Sequence, residues 1–399
     1  MRLPEQRWHQ EFTYSAPVLA DRQVRVVFGA GSLERVAAEA ATLGHRVLLI
    51  AGRHEDAAAD AVADQLRSQP GAELVGRLQE VAQHVPVQVA ADAEARTRAL
   101  GADVVMAVGG GSATGLAKAV ALQTGLPILA IPTTYAGSEM TPIWGLSDAQ
   151  GKTTGRDARV LPRTVVYDPT LTFSLPSEVT AASGMNALAH AVEALYAPDL
   201  TPGLSSVAEE AMAALVTALP RVVAQPHDLD ARSQVLYGAW LAGWALGSTS
   251  MGLHHKLAHV LGGTYRLPHA GVHSAVLPQV AAYNAPAAEQ AFTRAARALG
   301  VDDPSHVGAA LFDLAAGVAA PIALAPLGME ASAIEQVAAT VAAGHVSNPR
   351  PITEPDLVRV LKGAYRGTRP SSPNAPPDAI PESSTDSMTT PSQTGENDD

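Results

Sequence analysis

The sequence contains no cysteine. Disulfides, thiolate metal sites, iron–sulfur clusters and a nucleophilic thiol are excluded at once. Aromatic residues are scarce at 4%, so alanine and glycine must do much of the packing. Charge is sparse as well: 17% of the residues are Asp, Glu, Lys or Arg, against about 25% in an average soluble domain. Bases are in deficit, 27 against 39 acids, which leaves a formal charge of −12. A field of that sign repels nucleic acid and anionic membranes, and neither is expected as a partner. No run reaches the ~18 apolar residues of a membrane span. The opening MRLPEQRWHQEF has no apolar core of signal-peptide length, so a soluble, cytoplasmic protein is expected. The 399 residues are 47% hydrophobic. That is enough for a sizeable core, in two or three domains at ~100–200 residues each.

Short apolar runs alternate with amphipathic ones in the first half. Runs at 24–29, 46–52, 104–108, 128–132 and 164–168 read as strands, with helix-period stretches at 33–43, 57–68, 89–100 and 115–123 between them. Uniformly apolar strands separated by helices predict a parallel sheet covered on both faces. Beyond about residue 174 only helical spacing recurs, at 177–196, 205–223, 230–247, 254–262, 270–283, 287–299 and 329–343. The expected organisation is an α/β domain over 1–174, an all-helical domain over 175–367 and a tail over 368–399. From Pro370 onward the tail holds six prolines, six serines, six acids and no base. Such a stretch cannot bury enough apolar area to order itself.

A sheet domain against a helical one leaves a cleft, the usual place for a small-molecule site. On one side, the strand at 104–108 runs into Gly109, Gly110, Gly111 and Ser112 before a helix beginning near Thr114. Glycines let backbone N–H groups approach a phosphate, and a helix N-terminus adds partial positive charge. The spacing is neither GxGxxG nor a Walker loop, and a plain tight turn is the alternative. Lys118 lies one turn further on. Thr133, Thr134 and Ser138 follow the next strand, where open α/β sheets bind ligands. The second strand ends in Gly52-Arg53, with no acid for a ribose 2′-hydroxyl; an arginine suits a 2′-phosphate. On the other side, five of the 13 histidines crowd into twenty residues: His254, His255, His259, His269 and His273. Asn186/His190 and His255/His259 are i,i+4 pairs, each on one helix face. Converging imidazoles make a metal, proton-transfer or anion site, with His254 and His273 the residues readiest to be bystanders.

GGGS, PTTYAGSE, GMNALAHAVEALY and HHKLAHVLGGTYRLPHAG, in that order, resemble the iron-containing alcohol dehydrogenase family over about residues 14–365. The resemblance implies a dehydroquinate synthase-like architecture, with a dinucleotide-binding α/β domain ahead of a helical one. It also implies NADH or NADPH as cofactor and a homodimer. That family holds a divalent metal with one Asp and three His. These positions fall on Asn186, His190, His255 and His269, and His259 falls on a further active-site histidine. Two departures stand out. Asn186 replaces the acidic ligand, so three imidazoles and a weak neutral amide would hold iron poorly and make any divalent metal doubtful. GGGSxxDxAKA reads GGGSATGLAKA, with Gly115 in place of the acid.

Both departures, together with His84-Val85-Pro86, resemble the maleylacetate reductase branch. Its members reduce the carbon–carbon double bond of maleylacetate to 3-oxoadipate with NADH or NADPH, in bacterial degradation of aromatic rings. The implied activity is a CH–CH oxidoreductase acting on a small dicarboxylate. His259 is then expected to donate the proton. His255, His190 and Lys256 are the other catalytic residues expected, with His255 anchoring substrate together with Asn186, His190 and His269, and Lys118 sits nearer the cofactor phosphates. A metal-dependent alcohol or polyol dehydrogenase of the same family is the alternative, followed by a dehydroquinate-type synthase and a non-catalytic nucleotide-binding protein.

Overall fold

The computed structural model describes residues 12–19, 22–148 and 151–371. The opening segment through residue 11 and the tail expected over 368–399 lie outside the described residues, except for 368–371, where Arg369 donates to Asp313 and Pro370 is buried, so the folded body extends past the boundary expected at residue 367.

Five of the expected strands form: β2 (Arg22–Phe28), β3 (Arg46–Ala51), β5 (Val104–Gly109), β6 (Ile128–Pro132) and β9 (Thr164–Tyr167). Two more complete the sheet, β1 (Phe12–Leu19) and β4 (Glu73–Leu78), in the order β1-β2-β9-β6-β5-β3-β4. Every pairing is parallel except β1 with β2. Both added strands are edges, which explains their weak signal. ELVGRL in β4 carries a glycine and two charges, and only its last residue is buried. A short hairpin was also unforeseen: β7 (Ile143–Asp148) with β8 (Gly151–Arg156), the latter reading GKTTGR.

Alternation sorts the central strands onto two cores. Val47, Leu49 and Ala51 join Met106 and Val108 beneath α1 (Val36–Ala41) and α2 (Asp56–Ser68). Leu48 and Ile50 join Val105 and Ala107 beneath α3 (Val87–Ala99) and α4 (Gly111–Thr124). All five residues 47–51 are fully buried, each larger one contributing about 1.5–3 kcal/mol by transfer from water. Helix α4 starts at Gly111, three residues earlier than the glycines suggest.

Among the described residues, nine α-helices follow the sheet: α5 (Ser177–Ala194), α6 (Pro202–Ala224), α7 (Leu229–Ser248), α8 (Leu253–Thr264), α9 (His269–Asn284), α10 (Glu289–Leu299), α11 (Val307–Gly317), α12 (Ala333–Ala342) and α13 (Glu354–Arg366). No helix among the described residues is long and apolar enough to cross a membrane. The bundle and the sheet share one core. Val24, Val26 and Phe28 of β2, Ala130 of β6 and Val165 and Tyr167 of β9 pack with Met185, Leu188 and Val192 of α5 and with α6 and α7.

The joint between the halves depends on small residues. A Cβ on Gly243 of α7 would lie 2.5 Å from the Gly137 carbonyl oxygen, and one on Gly137 would lie 3.1 Å from Gly243 Cα. Backbone faces backbone there, so no side chain can swing aside. Gly243→Ala is expected to cost about 1–3 kcal/mol by overpacking, measured by urea denaturation. Gly203→Ala, where nothing lies within 4 Å, should cost nothing.

Candidate active site

Strand order reverses between β3 and β5: the chain leaves β3 toward β4 on one side and later passes from β5 to β6 on the other. Ligands of open α/β sheets sit in the crevice at the carboxyl ends of such diverging strands. Gly52 and Arg53 follow β3, and the triple glycine follows β5. Gly109 has φ +141°, which other residues rarely adopt, and a Cβ on Gly110 would come 2.9 Å from Thr134 Oγ1 and Cγ2. The first N–H groups of α4, from Gly111, Ser112 and Ala113, have no partner within the helix. Together these make a concave set of backbone donors at a helix N-terminus, the kind of place that suits a phosphate. Gly110, Gly111, Ser112, Thr133, Thr134, Ser138, Gly52 and Arg53 all line one cleft of about 1290 Å³, with Gly109 just beneath.

Lys118, expected beside the cofactor phosphates, is engaged elsewhere. Its side chain is buried, and Nζ donates to the carbonyl oxygens of Ser138 (2.6 Å), Thr141 (2.8 Å) and Ile143 (2.9 Å), and to Thr141 Oγ1 (2.9 Å). An ammonium has three protons, and these acceptors use them all. Burial lowers its pKa to about 7, against the pull of Glu139. It is a tether between α4 and the segment leading to β7. Glu55, unforeseen in the sequence, stands over the glycine turn, its carboxyl 3.5 Å from where a Cβ of Gly109 would be. Burial raises its pKa. The available signal is an acid four residues past the end of β3.

The opposite wall carries the imidazoles. Asn186 and His190 share a face of α5; His255 and His259 share a face of α8; His269 opens α9. All five line the cleft. The rings of His190 and His255 stack at 5.1 Å between centroids, with His259 edge-on to His255 at 6.3 Å. His255 is oriented from behind. Its Nδ1 is hydrogen-bonded to Glu193 Oε2, while Glu193 Oε1 accepts the His254 amide at 2.8 Å. Burial pushes the Glu193 carboxyl up, but His255, His254 and the amide outweigh it and hold it at about 2. Neither the His255 Nε2 nor the Asn186 Oδ1 has a hydrogen-bond partner in the protein, and both are buried. Burial, reinforced by neighbouring imidazoles, pushes His190 well below its ordinary value.

Two candidates are placed differently from the sequence expectation. Lys256 is not on the cleft: one residue after His255, the helix has turned by about 100°, and its Cε lies 3.7 Å from the position of a Cβ on Gly344. His273, set aside as a bystander, has its ring at the middle of the cluster, 4.4 Å from His269 and 4.9 Å from His255. It is fully buried, and neither ring nitrogen has a hydrogen-bond partner. His254 stays in the core, bonded through Nε2 to the His273 carbonyl at 3.0 Å.

Nitrogens of His190, His255 and His273 lie within 4.8 Å of one another, as do ligand atoms of Glu193, His254 and His255. These are imidazoles beside an amide, and the Glu193 carboxylate is turned to His255 and the start of α8. Such a set offers no carboxylate oxygen of its own to the cleft; three imidazole nitrogens suit a borderline metal such as zinc better than a hard cation that needs oxygen ligands.

Residues 23–169 match the iron-containing alcohol dehydrogenase family, and residues 180–365 match the C-terminal part of the Fe-containing alcohol dehydrogenase family. A maleylacetate reductase of Burkholderia cepacia is 51% identical over 349 residues, spanning 87% of this chain and 97% of that protein. One from Sphingobium indicum is 50% identical over 346 residues, spanning 87% and 96%. The crystal structure of the maleylacetate reductase from Agrobacterium tumefaciens, 43% identical, superposes with a TM-score of 0.82 over 91% of this chain and all of that one. By sequence and by fold, the chain belongs to the iron-containing alcohol dehydrogenase family.

Proposed function

We propose that this enzyme reduces the carbon–carbon double bond of maleylacetate to 3-oxoadipate at the expense of NADH or NADPH. One observation carries the reading: the imidazoles of α5, α8 and α9 and the Asn186 amide face a glycine-rich phosphate cradle across one cleft. The high identity to proteins named maleylacetate reductase supports it.

The cradle at Gly110–Ser112 and α4, with Thr133, Thr134 and Ser138, would hold the dinucleotide, and Arg53 at the end of β3 would meet a 2′-phosphate. When bound, the nicotinamide supplies a hydride to the alkene carbon β to the ketone. The electron pair displaced from the double bond moves onto the ketone oxygen as an enolate. Donors aimed at developing charge in a site screened from water stabilise it strongly. His255 serves that role in its doubly protonated form: Nδ1–H donates to the Glu193 carboxylate, which orients the ring and balances its charge, and Nε2–H is left toward the cleft as the donor. The Asn186 amide supplies a neutral second donor. His259, half-buried at the cleft and one turn beyond His255, returns a proton to the α-carbon as the enolate collapses. The sum is one hydride and one proton added across the double bond. No step requires a metal.

A second reading is a metal-dependent alcohol dehydrogenase using the His190, His255 and His273 nitrogens. A 340 nm assay with maleylacetate separates the two. Oxidation of either reduced nicotinamide is expected, undiminished after dialysis against chelator. Turnover that vanishes with chelator and returns with one metal per chain would favour the second reading; no oxidation of either cofactor would reject the first.

His259→Ala is expected to lower turnover at least ~100-fold by loss of acid catalysis. Cofactor affinity, measured by quenching of protein fluorescence, should not change. Near-normal turnover would remove His259 from the role of donor.

A further inference from the structure

Two more histidines line the cleft from the opposite side: His54, beside Arg53, and His84. His84 lies in the segment between β4 and α3, on the sheet domain, and it lines the same cleft as the imidazoles of the bundle. Its ring meets that of His269 edge to face, 6.4 Å between centroids. A Cβ on Gly262 of α8 would come 3.7 Å from His84 Cε1 and 3.9 Å from His269 Nδ1, so the glycine leaves the space around both rings open.

The backbone that delivers His84 is strained. His84 has φ +61° and Val85 φ +46°, the left-handed region that a β-branched residue adopts only when its surroundings compel it. The surroundings are visible. The Val85 carbonyl accepts the Ser147 amide at 3.1 Å, and Pro86 forms a bridge to Ser147 of β7. The Val85 side chain is buried against α4 at Gly115, where a Cβ would lie 2.9 Å from Val85 Cγ2. Glycine inside a helix weakens it. Here its bare face is the seat that holds the strained pair down. Two sequence features that look unrelated, the missing acid at Gly115 and the His84-Val85-Pro86 run, are therefore one interlocked unit.

We propose that His84 is a substrate-binding residue that shares one carboxylate of the dicarboxylate substrate with His269, and that Val85 and Gly115 position it. The inference rests on the proposed reduction of a dianion. Among the described residues, the lysines and arginines lining the cleft are Lys118, whose protons are engaged, and Arg53, on the cofactor side. Recognition of the second carboxylate therefore falls to imidazoles. Rings at this separation can reach the two oxygens of one carboxylate with bonds of about 2.9 Å.

The test uses His84→Ala, His84→Asn and Gly115→Ala in the full-length enzyme. His84→Ala is expected to raise KM for maleylacetate about 10- to 100-fold, the effect of losing a charge-assisted hydrogen bond, with kcat changed less than about 3-fold and KM for the nicotinamide unchanged. Preference for the diacid over its monomethyl ester should fall with it. His84→Asn, which retains a donor, should recover part of the loss. Gly115→Ala should push Val85 off its seat and raise KM in the same direction, with little further effect in the double variant because both act through one residue. Calorimetric binding of 3-oxoadipate reads the same contact without turnover. Weaker binding by His84→Ala supports the inference even if the wild-type enzyme fails to oxidise nicotinamide with maleylacetate, a failure that would count only against the proposed reaction. Equal 3-oxoadipate affinity in wild type and His84→Ala, with unchanged melting temperature, overturns it.

Discussion

The active wall depends on one buried contact, the hydrogen bond between Glu193 and His255. Glu193 sits near the end of α5, inside the protein, with both carboxylate oxygens engaged by the first turn of α8. The contact does three things. It satisfies amides that open α8 and would otherwise be orphaned, and it places negative charge at a helix N-terminus, where the dipole favours it. It also settles which nitrogen of His255 faces the cleft. A buried pair of this type is weak evidence for net stability, because desolvation offsets much of the attraction. Its worth lies in geometry. Without Glu193 the stacked His190 and His255 rings have no common reference, and the i,i+4 partners Asn186 and His259 inherit the loss.

The same logic governs the junction of sheet and bundle. The segment from Thr133 to Ile143 leaves the cofactor cradle, passes under α7 and enters the hairpin. Lys118 grips it from α4 by three carbonyl oxygens. Gly137 and Gly243 let it approach α7 to backbone contact. From the hairpin, Arg156 donates to the Thr249 carbonyl at 2.9 Å and to the Gly247 carbonyl. A lysine that looks like a phosphate ligand in sequence is thus a structural brace, and it keeps two halves of one site in register.

The fold was readable where period and burial agree. Strands such as RVLLIA in β3 are buried on both faces and need no alternation to be recognised, and helices α5 to α10 announce themselves by spacing. What escaped is α11, α13 and the elements at edges. The β4 strand and the β7–β8 hairpin are polar enough to pass for loops, because only part of each touches a core. In the site, the glycine turn and the Asn186, His190, His255, His259 and His269 set were legible as motifs. Direction along a helix was not carried through for Lys256, whose neighbour His255 already fixed the cleft-facing side of α8. His273 escaped because a buried histidine and a packing residue look alike until the rings around it are located. Glu55 and His84 come from loops that no periodicity marks, and only the crossing of β3, β4 and β5 brings them over the cleft.

The loss of an acid at Asn186 and the crowding of imidazoles are two sides of one electrostatic choice. A carboxylate on that wall would strengthen a divalent cation site, and it would repel a substrate that carries two carboxylates of its own. An amide removes the repulsion. Burial, in turn, keeps His190 and His273 far below their ordinary pKa, so the wall does not hold a stack of mutually repelling cations while empty. It becomes most favourable for protonation only when an anion arrives or an enolate forms, since an opposite charge nearby favours the charged form of an imidazole. A site built this way discriminates by timing: its attraction grows along the reaction as charge moves onto the ketone oxygen. That is the condition for binding the transition state more strongly than the substrate.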